Sequence, residues 1–269
     1  MLSGQVRESP LLLVAWHHEV GGLAERLIRS LECRFGAELM EEVDGSEFFA
    51  LDGVNVRGDV IQFPVSRFLF FREANTYFLQ SHAPNRGHYD FLTKVLDFAM
   101  DRCGVRELCT IGGVVSAITH LSPRHVFGIV NHPELKETLA HCDVQANMNY
   151  ETPSGGGTSM SNFLLWVAKT RGLPGCTLWV EVPFYLAATQ DPNALRRVFE
   201  VLNCRFDMGL DLQGVGLEVQ RLDRQIDQLR AQNHDIARYL DLLERGIMLD
   251  EVESQTLARE VGRSLRRME

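Results

Sequence analysis

Short apolar runs alternate with amphipathic segments over residues 11–205. Leu11 to Trp16 is continuously apolar, which predicts a buried strand. In the segment that follows, apolar residues recur at helical spacing with charged residues between them: Leu23, Leu27, Ile28 and Leu31. The same reasoning predicts strands over 105–111, 126–131 and 177–182, and helices over 89–103, 133–141, 163–170 and 192–202. This alternation predicts an α/β fold around a largely buried sheet.

Three local signals refine this pattern. The strand-rich stretch over 37–81 contains a predicted hairpin around Ala74-Asn75. Gly112-Gly113 is predicted to end the strand that begins at 105. Asp191 stands directly before a proline, which predicts that it caps the helix over 192–202.

After residue 212 the apolar positions change to steps of four and three, a heptad pattern kept over about four repeats. It predicts a helix over 216–245 and a second amphipathic helix over 250–267, with residues 1–212 as the α/β domain and 213–269 as a helical arm. The pattern fits a helical hairpin folded on itself, and it also fits a coiled-coil arm for oligomerisation or docking. The predicted oligomerisation positions are Leu222, Ile226, Leu229, Asn233, Ile236, Leu240 and Leu243. Asn233 fills the one polar gap, where coiled coils use asparagine to set register.

Composition narrows the class of protein. The chain has 269 residues and a net charge of −9, and the absence of a basic stripe argues against a nucleic-acid partner. Its apolar runs are too short to span a membrane, and the first ten residues lack the apolar core of a secretory signal. None of the six cysteines forms a C-x-x-C pair, so we expect buried, reduced thiols in a cytoplasmic protein.

Glycine, serine and threonine are concentrated in the sequence directly before the helix over 163–170. Such a loop can offer backbone N–H groups and hydroxyls to an anion, and a helix N-terminus adds favourable dipole charge. The candidate anion site consists of Gly156, Gly157, Thr158 and Ser159, with Trp16 and His17 reaching it from the end of the first strand. The alternative is a tight turn that lets Thr158 or Ser159 cap the helix.

Known catalytic signatures are missing from the sequence. The glycine loop lacks the lysine of a P-loop, and the chain contains neither G-x-G-x-x-G nor G-x-S-x-G nor H-E-x-x-H. We therefore predict no catalytic residue, no metal site and no cofactor. A catalytic role for His17-His18-Glu19 at a strand end stays an open alternative.

Several short motifs, in this order and spacing, resemble the proteasome assembly chaperone two family over residues 11–205. They are Ala15-Trp16 with Gly21-Gly22, Thr110 to Gly113, Gly155 to Ser159, Gly172 to Gly175, Val182 to Tyr185, and Asp191 to Ala194. The chain looks similar to bacterial members with an additional C-terminal helical segment. The resemblance implies a three-layer α/β/α sandwich like the nucleoside phosphorylase and hydrolase folds. It also implies self-association and a connection to proteasome assembly.

Two functions follow as expectations. The first is a non-catalytic, homo-oligomeric scaffold or assembly chaperone, with a possible protein partner at the C-terminal helices. The alternative is a small-molecule protein, either a binder of a nucleotide- or phosphate-type ligand or a hydrolase- or phosphorylase-like enzyme, using the loop at 155–161.

Overall fold

The computed structural model describes residues 8–43, 47–49, 55–62, 65–146 and 159–266. The strands in these ranges are β1 (Leu11–Trp16), β2 (Glu38–Val43), β3 (Asn55–Arg57), β4 (Val60–Gln62), β5 (Ser66–Phe71), β6 (Thr76–Ser81), β7 (Glu107–Ser116), β8 (Val126–Val130) and β9 (Gly175–Pro183). The helices are α1 (Leu23–Phe35), α2 (His88–Asp97), α3 (Leu135–Ala140), α4 (Met160–Thr170), α5 (Pro192–Phe206), α6 (Leu212–Gln232), α7 (His234–Glu244) and α8 (Glu251–Arg266). The protein is thus an α/β protein with additional C-terminal helices, as the sequence pattern predicted.

Seven of the described strands form one mixed sheet in the order β2-β5-β6-β1-β7-β9-β8, while β3 and β4 form a separate hairpin. The four central strands, β6, β1, β7 and β9, run parallel. At one side, β5 pairs antiparallel with β6, and β2 pairs antiparallel with β5. At the other side, β8 pairs antiparallel with β9. Parallel pairing places the carboxyl ends of the central strands along one edge of the sheet, where the loops that follow them meet.

Helices cover both faces of this sheet. Alternate residues of β1 point to opposite faces, so Leu13 belongs to the core beneath α1 and α5, and Leu12 belongs to the core beneath α2 and α4. Both side chains are completely buried, as expected of a strand in the centre of a parallel sheet.

One predicted strand end was wrong. β7 continues through Gly112-Gly113 to Ser116. A Cβ on Gly112 would lie 2.4 Å from the ring of Trp179, and one on Gly113 would lie 2.9 Å from Val20. Glycine in this strand therefore allows close packing on either face of the sheet and does not end the strand.

The C-terminal helices fold back onto the α/β core. α6 packs against α5, α7 and α8, and α8 packs against the turn at Phe184–Leu186. The heptad side chains Leu222, Ile226, Ile236, Leu240 and Leu243 are buried in the same core as α1 and α5, with Leu229 packed against it. This arrangement corresponds to the folded-back alternative, and association between copies stays a prediction.

The single helix predicted over 216–245 was wrong, because the chain leaves helical geometry at Asn233 (φ −134°, ψ 108°). The Asn233 side chain accepts hydrogen bonds from the backbone N–H groups of Asp235 and Ile236, at 3.0 Å and 3.3 Å. Asn233 is thus the N-cap of α7, which satisfies N–H groups that a new helix leaves unpaired.

The prediction of buried, reduced thiols fails for three cysteines. Cys142 and Cys204 form a disulfide that connects the loop after α3 to α5, and Cys33 is exposed. Cys109 and Cys176, which pair in register on β7 and β9, are buried free thiols as predicted. Sequence spacing could not reveal the disulfide, because its two cysteines are 62 residues apart and meet only in the folded chain.

No helix in the described ranges is both long enough and apolar enough to cross a membrane.

Candidate functional site

The carboxyl edge of the sheet is the region where the chain's polar side chains converge. It consists of the segments that follow β1, β6, β7 and β9, together with His125 just before the antiparallel β8. In α/β folds this edge is the usual place for ligands. We describe its groups from the first strand outward.

Trp16, at the end of β1, lies against the first turn of α4. Its indole N–H donates a hydrogen bond to the Ser161 hydroxyl at 3.1 Å, and both residues are buried. Ser159 is the N-cap of α4 and accepts from the Asn162 N–H at 3.1 Å. The structure therefore brings Trp16 close to the predicted loop–helix junction and confirms the capping role of Ser159. Gly156, Gly157 and Thr158 lie outside the described residues.

His17 belongs to a separate cluster with His18, His82 and Glu25. Its ring lies 4.5 Å from that of His82, which follows β6, and the His18 ring lies 5.1 Å from His82. The Nδ1 atom of His17 is 3.6 Å from Glu25 of α1, and the His18 N–H also donates to this carboxylate at 3.1 Å. Hydrogen bonding from His17 is the largest cause that lowers the pKa of Glu25 to about 2. Burial, with the neighbouring His17 and His18, lowers the pKa of His82.

Glu19 closes the first loop onto β7. Its carboxylate accepts a hydrogen bond from the Gly113 N–H at 3.2 Å. Burial raises the pKa of Glu19 to about 7, and the charge of Glu25 raises it in the same direction. Glu19 therefore changes its protonation state near neutral pH.

Glu181 connects β7, β8 and β9. One carboxylate oxygen accepts from the Ser116 hydroxyl at 2.9 Å, and the other lies 2.8 Å from Nδ1 of His125. The carboxylate thus stands between the serine and the histidine. A nucleophilic serine needs the opposite order, with histidine in direct contact with the hydroxyl. This arrangement fixes three strand ends and does not activate Ser116.

Beneath the edge lies a buried ion pair between Arg124 and Asp191, with both side chains fully buried and Nε 2.9 Å from the carboxylate. Asp191 also caps α5, as predicted, through hydrogen bonds from the N–H groups of Asn193 and Ala194. Arg124 donates further to the carbonyl oxygens of Thr119 and Ser122. Sequence reasoning missed Arg124, since its partner is 67 residues away.

His120 and Tyr185 form the neighbouring buried pair. The Tyr185 hydroxyl accepts from the His120 N–H at 2.6 Å and lies 3.0 Å from His120 Nδ1. Burial is the largest cause that lowers the pKa of His120 to about 4, and burial also raises that of Tyr185. His120 is therefore neutral at physiological pH and serves the packing of this loop.

Metal coordination finds no support in this part of the chain. Despite the three clustered histidines, no group of His, Cys, Asp or Glu side chains among the described residues has the geometry to hold a metal ion. The three imidazole rings are tilted against one another, and the described residues around them supply no converging set of ligands.

One comparison with known proteins identifies a family. A sequence profile of the PAC2 family matches residues 19–230. A search of curated proteins found no match.

Solved structures of bacterial and archaeal proteins share the fold. A PAC2 family protein from Streptomyces avermitilis is 21% identical, with a TM-score of 0.71, over 86% of this chain and 100% of that chain. A proteasome-assembly chaperone homologue from Mycobacterium tuberculosis is 18% identical, with a TM-score of 0.72, over 86% and 99% of the two chains. The archaeal proteasome activator PbaB from Pyrococcus furiosus is 18% identical, with a TM-score of 0.65, over 84% and 95%. The profile match covers most of the sequence, and these structures share its architecture, so the chain belongs to the PAC2 family, the family of proteasome assembly chaperone 2.

Proposed function

We propose that this protein is a non-catalytic scaffold of the assembly-chaperone type that acts as a homo-oligomer in the cytoplasm. Its family includes homologues of proteasome-assembly chaperones, and an archaeal proteasome activator shares its fold. A three-layer α/β/α architecture of the phosphorylase and hydrolase type is part of this proposal, supported by helices on both faces of the sheet.

One observation carries the proposal. The polar side chains at the described carboxyl edge bind to other groups of the same chain and hold loops in place. Glu181 joins Ser116 to His125, and Arg124 is buried against Asp191. A catalytic site instead needs polar groups that are free to contact a substrate.

A partner surface at the C-terminal helices must use other side chains than the buried heptad positions. The connection between α7 and α8, with the first turn of α8, offers three exposed apolar residues. They are Ile247, Met248 and Val252, of which Met248 is 76% exposed and Val252 is 72% exposed. We name these three residues the helical tip. Exposed apolar patches are typical of surfaces that bind other proteins.

The test measures molecular mass by light scattering, together with capture of host proteins by cross-linking. We expect the wild type to form oligomers, and Met248→Asp with Val252→Asp to weaken association about tenfold or more, because a charge at an apolar contact must be desolvated. The matched control is Val56→Asp with Ile61→Asp on the β3–β4 hairpin, where the side chains are 69% and 62% exposed. A monomeric wild type that captures no partner would refute the scaffold proposal.

A second candidate function is binding of a nucleotide- or phosphate-type ligand at the loop over 155–161, either as a binding protein or as a hydrolase- or phosphorylase-like enzyme. The observation that favours it is the contact of Trp16 with Ser161, which places an aromatic ring beside the first turn of α4. A thermal-shift screen with phosphate and nucleotides tests it, since a ligand at 100 times its Kd adds about 2.7 kcal/mol of stability. A shift that persists in Thr158→Ala with Ser159→Ala would exclude this site.

A further inference from the structure

A cavity of about 1280 Å³ opens between α1, the turn at 187–190, the first half of α6 and the end of α8. It begins at the carboxyl end of β1, where His18, Glu19 and Gly22 contribute to its wall. Its volume exceeds the roughly 300–1,000 Å³ typical of small-molecule pockets, so it has room for a cofactor-sized ligand.

Arginine is the unusual feature of this cavity. Five arginines line it from three helices: Arg26, Arg29 and Arg34 on α1, Arg221 on α6 and Arg266 on α8. In a chain with a net charge of −9, such a concentration of positive charge stands out against the rest of the molecule.

Four of these guanidinium groups are uncompensated by a carboxylate. Within the described ranges, Arg29, Arg34, Arg221 and Arg266 form no ion pair, whereas Arg26 is paired with Glu218. Arg34 donates to the backbone carbonyl of Gly209. The uncompensated groups project from three separate helices into one concavity.

The carboxylates of the cavity are already occupied. Glu218 is paired with Arg26, Glu25 accepts hydrogen bonds from the His17–His18 segment, and Asp211 caps α6 through the N–H groups of Gln213 and Gly214. Burial raises the pKa of Glu19 to about 7, which reduces its negative charge at neutral pH. The five arginines outnumber the four carboxylates of the lining, so its formal charge is net positive.

Part of the wall between the arginines is apolar. Leu210, Val215 and Leu222 lie on it and belong to the buried core, and Leu265 packs against that core. A ligand that suits this cavity combines several negative charges with an apolar body.

We propose that this cavity binds a small organic ligand carrying two or more phosphate groups, held by Arg29, Arg221 and Arg266. The guanidinium fork matches phosphate oxygens in bidentate geometry, and three such forks favour a polyphosphate over a single phosphate. This site is separate from the loop over 155–161, and the proposal holds whether or not the protein acts as a scaffold.

Calorimetric titration of the full chain at low salt tests the proposal with ATP, pyrophosphate and adenosine. We expect ATP and pyrophosphate to bind, affinity to fall as salt rises, and adenosine to give no signal. Arg29→Gln with Arg221→Gln should weaken ATP binding about tenfold or more, since each charge-assisted hydrogen bond contributes substantially.

The matched control removes the same number of positive charges from two helices that also border the cavity. Arg224→Gln on α6 and Arg263→Gln on α8 change exposed arginines that do not line the cavity. Unchanged affinity in this control pair, with melting temperatures of all variants near wild type, supports the assignment.

Three outcomes overturn it: no binding of ATP or pyrophosphate at about 1 mM, the weak end of specific affinity; equal loss of affinity in the test and control pairs; or tighter binding of a glutamate-rich decapeptide than of ATP. The last would make the cavity a peptide groove. None of these outcomes depends on the oligomeric state, so the cavity and the scaffold can fail separately.

Discussion

Arg124 shows how single residues hold the carboxyl edge together. It bonds to Asp191 and to the backbone carbonyls of Thr119, His120 and Ser122, so it joins the loop after β7 to the start of α5. Both charges of the ion pair are completely buried. Removing either would leave the other charge unpaired in a region of low dielectric.

Arg124→Ala should therefore lower the free energy of unfolding by about 3–5 kcal/mol, measured by urea denaturation. The control is Arg259→Ala, which removes an exposed ion pair with Glu260 and should cost less than about 1 kcal/mol. Equal effects of the two substitutions would show that the buried pair contributes no more than a surface one.

Because His120 is buried, we expect the protein to lose stability as the pH falls. Burial lowers its folded-state pKa to about 4, below the ordinary value of 6.5, so the unfolded chain binds the proton more tightly. Stability from this group is complete above about pH 6.5 and is lost as the pH falls towards 4. The loss amounts to about 3 kcal/mol at 1.36 kcal/mol per pKa unit.

Urea denaturation of the wild type and of His120→Gln across pH 4–7 checks this prediction. The variant lacks the titrating ring, so its stability should decline less over this interval. If stability falls equally with pH in the two proteins, other groups cause the loss of stability at low pH.

At the scale of single residues, the sequence predicted the features that depend on residues nearby in the chain. Asp191 before Pro192 and Ser159 before α4 were both predicted as caps, and both accept the expected N–H groups. His17, predicted to reach the glycine loop, lies against Glu25 and His82, and its place in an anion site stays a prediction. Its direction depends on where β6 ends, and that strand lies about 60 residues further along the chain.

At the scale of helices and strands, the junction of α6 and α7 bears on the two interpretations of the heptad pattern, a hairpin folded on itself and a coiled-coil arm. Heptad spacing shows that one face of a helix is buried but not which molecule covers it. Here the cover comes from α5 and α8 of the same chain. Asn233 occupies the polar gap because it caps a new helix.

Asn233→Leu tests this reading, because it completes the heptad pattern and removes the cap. We expect it to destabilise the protein by about 1 kcal/mol, the usual contribution of an N-cap, with no change in molecular mass. Chemical denaturation and light scattering give the two readings, and Asn233→Asp serves as the control that keeps a capping oxygen. A more stable protein with a higher oligomer number would restore the coiled-coil interpretation.

Most strands and helices were predictable because their signals are local. The predicted hairpin around Ala74-Asn75 is present, and Asn75 adopts the left-handed conformation (φ 43°) between β5 and β6. β7 was predicted too short because glycine usually interrupts a strand, and the need for Gly112 appears only once Trp179 is packed over it.

The whole molecule is further constrained by the disulfide between Cys142 and Cys204, which closes a loop with a sequence separation of 62 residues. Reduction, or Cys204→Ser, should lower the free energy of unfolding by about 2–4 kcal/mol, because an open loop gives the unfolded chain more freedom. Denaturation with and without dithiothreitol measures this difference. Cys33→Ser is the control, since Cys33 is an exposed free thiol and should leave the response to dithiothreitol unchanged.

Strand order and the cavity are properties of the whole molecule that the sequence did not predict. β1 lies in the centre of the sheet although it comes first in the chain, and the cavity requires α1, α6 and α8 to meet. Heptad spacing predicts α6 and α8 as a separate arm, so the sequence does not indicate that Arg221 and Arg266 share a cavity with Arg29.

The two outer strands of the sheet have a consequence for aggregation. β8 is partly covered by its own chain, since Gly128 and Val126 exchange backbone hydrogen bonds with Gln145. β2 is the open edge, and it carries Glu38, Glu41 and Glu42 and a break in register between Leu39 and Glu41. A strand from another copy would bring like charges together on an irregular backbone, which is how natural sheets avoid growing edge to edge. Without these charges the protection would weaken, and β2 would become the place where fibril-like growth begins.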